Sequence, residues 1–280
     1  MRNLSVHEIT AALKDMCMEA NYVLSEDIRQ SLEGAKAAEP SPIGASILGD
    51  LIENANIAQE NAVPMCQDTG MAVIFLEIGQ EIHFVDGDLK TAVNEGVRQG
   101  YTEGFLRKSV VEDPLNRKNT GDNTPAIIHM DIVPGDQLKM TLAPKGFGSE
   151  NMSKSKMLKP SDGIQGVEDF IVETVSLAGP NPCPPIVVGV GVGGTLEKAA
   201  LIAKHALTRD IRESSEKPHL ADLEERALER INKLGIGPQG LGGQTTALGV
   251  NIESFPTHIA GLPVVVNINC HAARHIECIL

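Results

Sequence analysis

Three cysteines of this 280-residue chain occupy places where chemistry could be done. Cys66 lies in Val63-Pro64-Met65-Cys66-Gln67-Asp68-Thr69-Gly70, Cys183 in Pro180-Asn181-Pro182-Cys183-Pro184-Pro185, and Cys270 follows the apolar run Pro263 to Asn269. Each stands where a predicted strand begins or ends, among Pro, Gly, Asn or Asp, and none sits on an apolar helix face. Cys17 does sit on such a face and reads as core, while Cys278 is two residues from the C-terminus. One loop cysteine alone is more often a small packing residue. Three in matched settings weaken that reading. Soft thiolates from distant loops suit either a zinc ion, with His258 or His271 as a fourth ligand, or an iron–sulfur cluster. The short Cys pairs usual in zinc fingers are absent. A four-iron cluster on three thiolates keeps one iron open, and an open iron can act as a Lewis acid on a hydroxyl or carboxylate. Such an arrangement suits a hydro-lyase.

Other segments add to the pattern. Cys66-Gln67-Asp68-Thr69-Gly70, Lys145-Gly146-Phe147-Gly148-Ser149-Glu150-Asn151, Asn181-Pro182-Cys183-Pro184-Pro185 and Asn269-Cys270-His271-Ala272-Ala273-Arg274 resemble the iron–sulfur class I fumarate hydratases and the related L-tartrate dehydratases. Leu106-Arg107-Lys108-Ser109 and Asn119-Thr120-Gly121-Asp122-Asn123-Thr124-Pro125-Ala126 resemble the same family, and the likeness runs in order along nearly the whole chain. The resemblance implies that Cys66, Cys183 and Cys270 hold a [4Fe–4S] cluster. It further implies that Gln67, Arg107 and the Gly146–Gly148 loop contact substrate, and that Asp68 and His258 form an acid/base pair near the cluster. The family's loop usually has three glycines, and here the middle one is Phe147. His271 and Arg274 are candidates for orienting the cluster loop.

Read without the family, Asp68 fits an Asx turn holding its loop, His258 a surface or satisfied core histidine, and Arg107 a solvated charge at a helix end. With the family, Asp68 beside an imidazole would favour its protonated form, and a proton donor is wanted as hydroxide leaves. The chain stops ten residues past Cys270. Single-chain members carry a further, smaller C-terminal domain, so the resemblance implies the alpha subunit of a two-subunit enzyme. A beta subunit would complete the site, and α₂β₂ is the implied assembly. The implied reaction is reversible hydration of fumarate to L-malate. The alternatives are dehydration of tartrate to oxaloacetate, or a non-catalytic zinc- or nucleotide-binding module.

Composition bounds the rest. With 24 basic and 37 acidic side chains the formal charge is −13, which disfavours nucleic acid and anionic lipid. A dicarboxylate substrate would then need local positive charge. No apolar run approaches the roughly 20 residues of a membrane span, and no signal-peptide core opens the chain. The cytoplasm is the expected compartment, where five scattered cysteines do not make a disulfide framework.

Helices are expected after the Ser5 cap, from about 25, and over 46–59, 89–101, 164–178, 196–209 and 220–234. Strands are expected over 71–78, 81–85, 126–133, 137–143, 186–190, 246–252 and 263–269, with 126–133 and 137–143 forming a hairpin around Pro134-Gly135-Asp136. No internal repeat is visible. These elements predict one α/β domain over 1–280, a mixed α+β fold with antiparallel hairpins in mixed sheets and cluster loops at strand ends. Gly189-Val190-Gly191-Val192-Gly193-Gly194 matches the dinucleotide fingerprint. The second strand with its acidic end is missing, so glycines easing a tight strand-to-helix turn, or an anion site at the helix start, compete with a nucleotide.

Overall fold

The computed structural model describes residues 1–280. In chain order the elements are β1 (Arg2–Ser5), α1 (Val6–Tyr22), α2 (Glu26–Ala38), α3 (Pro42–Asn61), β2 (Met71–Gly79), β3 (Ile82–Val85), α4 (Leu89–Glu103), β4 (Ile127–Val133) and β5 (Leu138–Lys145). There follow α5 (Phe147–Glu150), β6 (Lys154–Leu158), α6 (Gly163–Ala178), β7 (Ile186–Gly193), α7 (Leu196–Ala206), α8 (Pro218–Asn232), β8 (Ala247–Phe255), β9 (Leu262–Asn269) and β10 (Ile276–Ile279). The fold is mixed α+β, as expected. Two compact units share the chain: Met1–Ser25 with Ala55–Gly146 and Arg274–Leu280, and Glu26–Asn54 with Phe147–Ala273.

The first unit holds a four-stranded sheet in the order β10-β5-β2-β4 and a small parallel pair, β1 with β3. Ala72, Ile74 and Leu76 of β2 and Leu138, Met140 and Leu142 of β5 turn one sheet face toward Ile9, Leu13 and Cys17 of α1 and Val93, Val97 and Tyr101 of α4. The period-2 burial of the strands and the i, i+4 spacing of the helix residues are the two periodicities that make this packing possible. Ser5 caps α1 by accepting from the His7 N–H (3.4 Å), so the expected start is correct.

The second unit repeats the scheme, with strand order β6-β9-β7-β8. Val188 and Val190 of β7 and Val264, Val266 and Ile268 of β9 pack with α6 and α8 through Ile171, Val175, Leu223 and Ile231. The opposite face carries Val265, which clusters with Ala199 and Ala203 of α7.

The hairpin expectation is wrong. β4 and β5 do not pair; β2 lies between them, parallel to β4 and antiparallel to β5. Likewise β7 lies between β8 and β9. A tight connection between two strands signals proximity, and sequence alone does not reveal an earlier strand inserted between them.

The dinucleotide fingerprint also dissolves. β7 runs on through Gly193, so Gly189 and Gly191 lie inside the strand. A Cβ on Gly191 would meet the Ala199 carbonyl oxygen at 2.0 Å, and one on Gly189 the Ala203 carbonyl oxygen at 2.3 Å. These glycines exist because α7 presses its backbone onto the strand. The helix start carries Glu197, hydrogen-bonded by Thr195 (2.5 Å), which is adverse to an anion there. No helix is long and apolar enough to cross a membrane.

Candidate active site

In the first unit the Cys66–Gly70 loop leads into β2 and is braced from below. Thr69 Oγ1 accepts from the Arg107 N–H (2.9 Å) and donates to the Arg107 carbonyl (3.2 Å). The Tyr101 hydroxyl, on a fully buried ring, donates to the Thr69 carbonyl (2.8 Å). Asn123 is buried with φ 63°; its Nδ2 donates to the Gly70 carbonyl (3.1 Å), and its Oδ1 accepts from the N–H groups of Ser109 (2.7 Å) and Val110 (3.2 Å). Gly70 has φ 74°, and a Cβ there would come within 2.6 Å of the Lys145 carbonyl carbon, so only glycine lets the loop close on β5.

The loop presents its chemistry outward. The Asp68 N–H donates to Cys66 Sγ (3.4 Å), and Asp68 Oδ1 accepts from the Gly70 N–H (3.1 Å), the Asx-turn geometry. A Cβ on Gly146 would stand 3.2 Å from Asp68 Oδ2, so glycine keeps the backbone close to that oxygen. Gln67 and Arg107 are exposed. Two bonds to Thr69 bring the Arg107 backbone beside the loop, which a solvated helix-end charge would not need. The first unit therefore gathers Cys66, Gln67, Asp68, Arg107 and Gly146.

In the second unit Cys183 and Cys270 lie at one end of the sheet. Val187, near the start of β7, pairs with Asn269 at the end of β9. The His271 N–H donates to the Cys183 carbonyl (3.3 Å), and His271 Nδ1 lies 3.1 Å from the same oxygen and 3.2 Å from Gln239 Nε2. Gln239 also ties Pro184, whose carbonyl accepts from its N–H (2.7 Å) and from Nε2 (2.8 Å). Cys183 itself has φ 56°, a left-handed conformation costing a non-glycine residue about 1 kcal/mol. Gly148 belongs to this unit, in the short turn α5, where Glu150 pairs with Lys204 and accepts from Asn267 Nδ2 (3.0 Å).

His258 departs from expectation. It is exposed in the connection between β8 and β9, before β9 begins, whereas Cys270 follows its end. Eight strand residues at ~3.3 Å each separate the two by about 26 Å. In its own chain His258 is not beside Cys270; it lines an apolar groove of about 430 Å³ with His219, Leu220, Leu223 and Ile259.

None of the five cysteines is in a disulfide. Burial pushes the Cys17 thiol up to about 12, consistent with a packing residue. No three His, Cys, Asp or Glu side chains gather tightly enough for a single metal ion.

The whole-chain pattern matches a known family: the fumarate hydratase (Fumerase) model aligns with residues 10–279. The chain belongs to that family. It is thereby a hydro-lyase chain. A Methanocaldococcus jannaschii protein provisionally named L(+)-tartrate dehydratase subunit alpha is 45% identical over 273 residues, 95% of each chain. The L(+)-tartrate dehydratase subunit alpha of Escherichia coli is 34% identical over 274 residues, 96% of this chain and 90% of its own. The protein of that name from Shigella sonnei is similar to the same extent.

Sequence reasoning passed over Tyr101, Gln239 and the bracing role of Asn123. Asn123 stood inside a quoted motif. Tyr101 looked like one more apolar residue on a helix face, and Gln239 like filler in a glycine-rich loop.

Proposed function

We propose that this chain is the alpha subunit of a two-subunit hydro-lyase that, with a beta subunit, reversibly hydrates fumarate to L-malate. The observation that carries the reading is the pairing of the Cys183 and Cys270 loops at one sheet end, through His271 and Gln239. The loop of Cys66, in the other unit, offers a third free thiol among polar groups suited to a dicarboxylate. Three soft thiols on loops, none in a disulfide, fit an iron–sulfur cluster. Cys66, Cys183 and Cys270 would hold a [4Fe–4S] group, whose open iron would supply Lewis-acid activation of the substrate hydroxyl.

The remaining work falls to this chain's own groups. The exposed guanidinium of Arg107 is suited to bind a carboxylate in a two-pronged bond. The Gln67 amide can donate to a second oxygen, and the backbone at Gly146 and Gly148 leaves room for substrate. Asp68 Oδ1 accepts from the Gly70 N–H, and the carboxylate is suited to hold or pass a proton. His258 can join this chemistry only from a second copy of the chain, because β9 separates it from Cys270 of its own. An α₂β₂ assembly would bring two copies of the chain together and so allow that arrangement. The "subunit alpha" in the relatives' names supports a beta partner, and free thiols suit the reducing cytoplasm.

Tartrate is the second reading, favoured by those same names. The test is anaerobic reconstitution of the chain with its beta partner, iron and sulfide, followed by parallel assays with fumarate, L-malate and L-tartrate. Turnover of fumarate alone upholds the first reading, and turnover of tartrate alone replaces the substrate. A fully loaded complex inert on all three removes the hydro-lyase proposal. The isolated chain should show negligible turnover.

A further inference from the structure

Arg274 is 3% exposed and belongs to the first unit. Its Nη1 donates to Asn21 Oδ1 (3.0 Å) and its Nη2 to the Asp68 carbonyl (2.8 Å). Its Nε is buried with no acceptor. Elsewhere in the chain the buried or half-buried ion-pair partners meet an opposite charge: Arg209 and Glu224, Glu168 with the more exposed Arg226 and Arg230, and Lys204 with Glu150. Arg274 meets only neutral oxygens. A guanidinium cannot shed its proton, so burying it without a counter-charge is costly unless an anion belongs nearby.

The surroundings say where. Asn21 is fully buried, donates to the Cys17 carbonyl (2.8 Å) and accepts from the Met65 N–H through its own carbonyl (3.0 Å). The guanidinium thus braces both ends of the Met65–Asp68 stretch. The Asp68 residue that gives its carbonyl to Arg274 gives its N–H to Cys66 Sγ (3.4 Å). We infer that Arg274 is a positioning residue and the buried counter-charge for a net-negative iron–sulfur group at Cys66, acting through Asp68. The inference rests on the cluster reading above. A buried positive charge favours the more negative, reduced form of such a group and so raises its potential.

The test compares the full-length chain with Arg274→Met, Arg274→Gln and Arg274→Lys, all reconstituted anaerobically. Three readouts are taken: the thermal midpoint before reconstitution, the cluster's midpoint potential by EPR-monitored titration, and the rate of cluster bleaching in air. Before reconstitution, Arg274→Lys, which keeps the charge, should melt close to the wild-type temperature, while Arg274→Met also loses the bonds to Asn21 and the Asp68 carbonyl and should melt lower. After it, the Met and Gln variants should show a more negative potential and several-fold faster bleaching, with Lys restoring the potential. Faster bleaching with an unchanged potential in the Gln variant overturns the counter-charge role, because loosened packing alone would then explain it. Unchanged potential and bleaching in the Gln variant overturn it equally. Wild-type chain that takes up no cluster instead defeats the cluster reading.

Discussion

The two units solve one problem twice. In each, a central strand runs parallel to one neighbour and antiparallel to the next, and an edge strand completes the antiparallel side. The candidate site residues occupy equivalent positions. Cys66 precedes central β2 as Cys183 precedes central β7, and Gly146 follows antiparallel β5 as Cys270 follows antiparallel β9. The units differ in how helix meets partner. In the first, the small residues are on a helix: a Cβ on Gly100 of α4 would meet Cys17 Cβ of α1 at 2.6 Å. In the second they are on the strand, at Gly189 and Gly191. Site loops differ as well. The Cys66 loop is braced by buried side chains, Tyr101 and Asn123, while the Cys183 loop leans on the backbone and amide of Gln239 and on His271. Equivalent placement in a shared topology can therefore be secured by unrelated side chains.

The largest test of this equivalence is loss of a thiol. Cys66→Ser in the first unit and Cys183→Ser in the second should each abolish stable cluster uptake, read by iron and sulfide content. A variant that keeps full content would break the proposed equivalence. Overpacking comes next: Gly191→Ala and Gly100→Ala should each cost about 3 kcal/mol in urea unfolding, because backbone or Cβ atoms must retreat. If only one does so, close packing matters in one unit alone.

The braces should rank below that. Asn123→Ala removes the acceptor of the Ser109 and Val110 N–H groups and one of two donors to the Gly70 carbonyl, which keeps Tyr101, and should cost roughly 2 kcal/mol, against about 1 kcal/mol for Gln239→Ala, whose backbone bond to Pro184 survives. Similar costs would erase the contrast between the two loops.

The smallest effect is a pH dependence confined to the second unit. Burial alone would raise the Glu39 carboxyl, but N–H donors from Gln244, Thr245 and Ser41 outweigh it and hold it below its ordinary value. A depressed folded value means the stabilisation is complete above the unfolded value of about 4.3 and is lost as pH falls through the folded one. Glu39→Gln should lower the melting temperature at neutral pH and flatten its fall below about pH 5. An unchanged acid limb would show that this carboxylate is not what anchors the loop.

Much of this molecule was legible before folding was considered. Strand and helix periodicity located most elements within a few residues, because burial on one face imposes a period of 2 or 3.6 on the sequence itself. The three loop cysteines and Asp68, Gln67 and Arg107 stood out because motif residues are contiguous in the chain. The strands β1, β6 and β10 were not expected; each is only four or five residues long, too short for a pattern.

What the sequence by itself determined was chemistry by type: free thiols in loops, a carboxylate and a guanidinium in a chain of charge −13, and a family likeness. The tertiary structure decided who stands beside whom. It inserted β2 between β4 and β5 and β7 between β8 and β9, turned a dinucleotide motif into a helix contact, and set His258 a strand's length from Cys270. It also buried Arg274 beneath Asp68 without a carboxylate. The physical reason is common to all four. Sheet order, close backbone approach and burial of charge are settled between residues far apart in the chain, and local spacing carries no record of them.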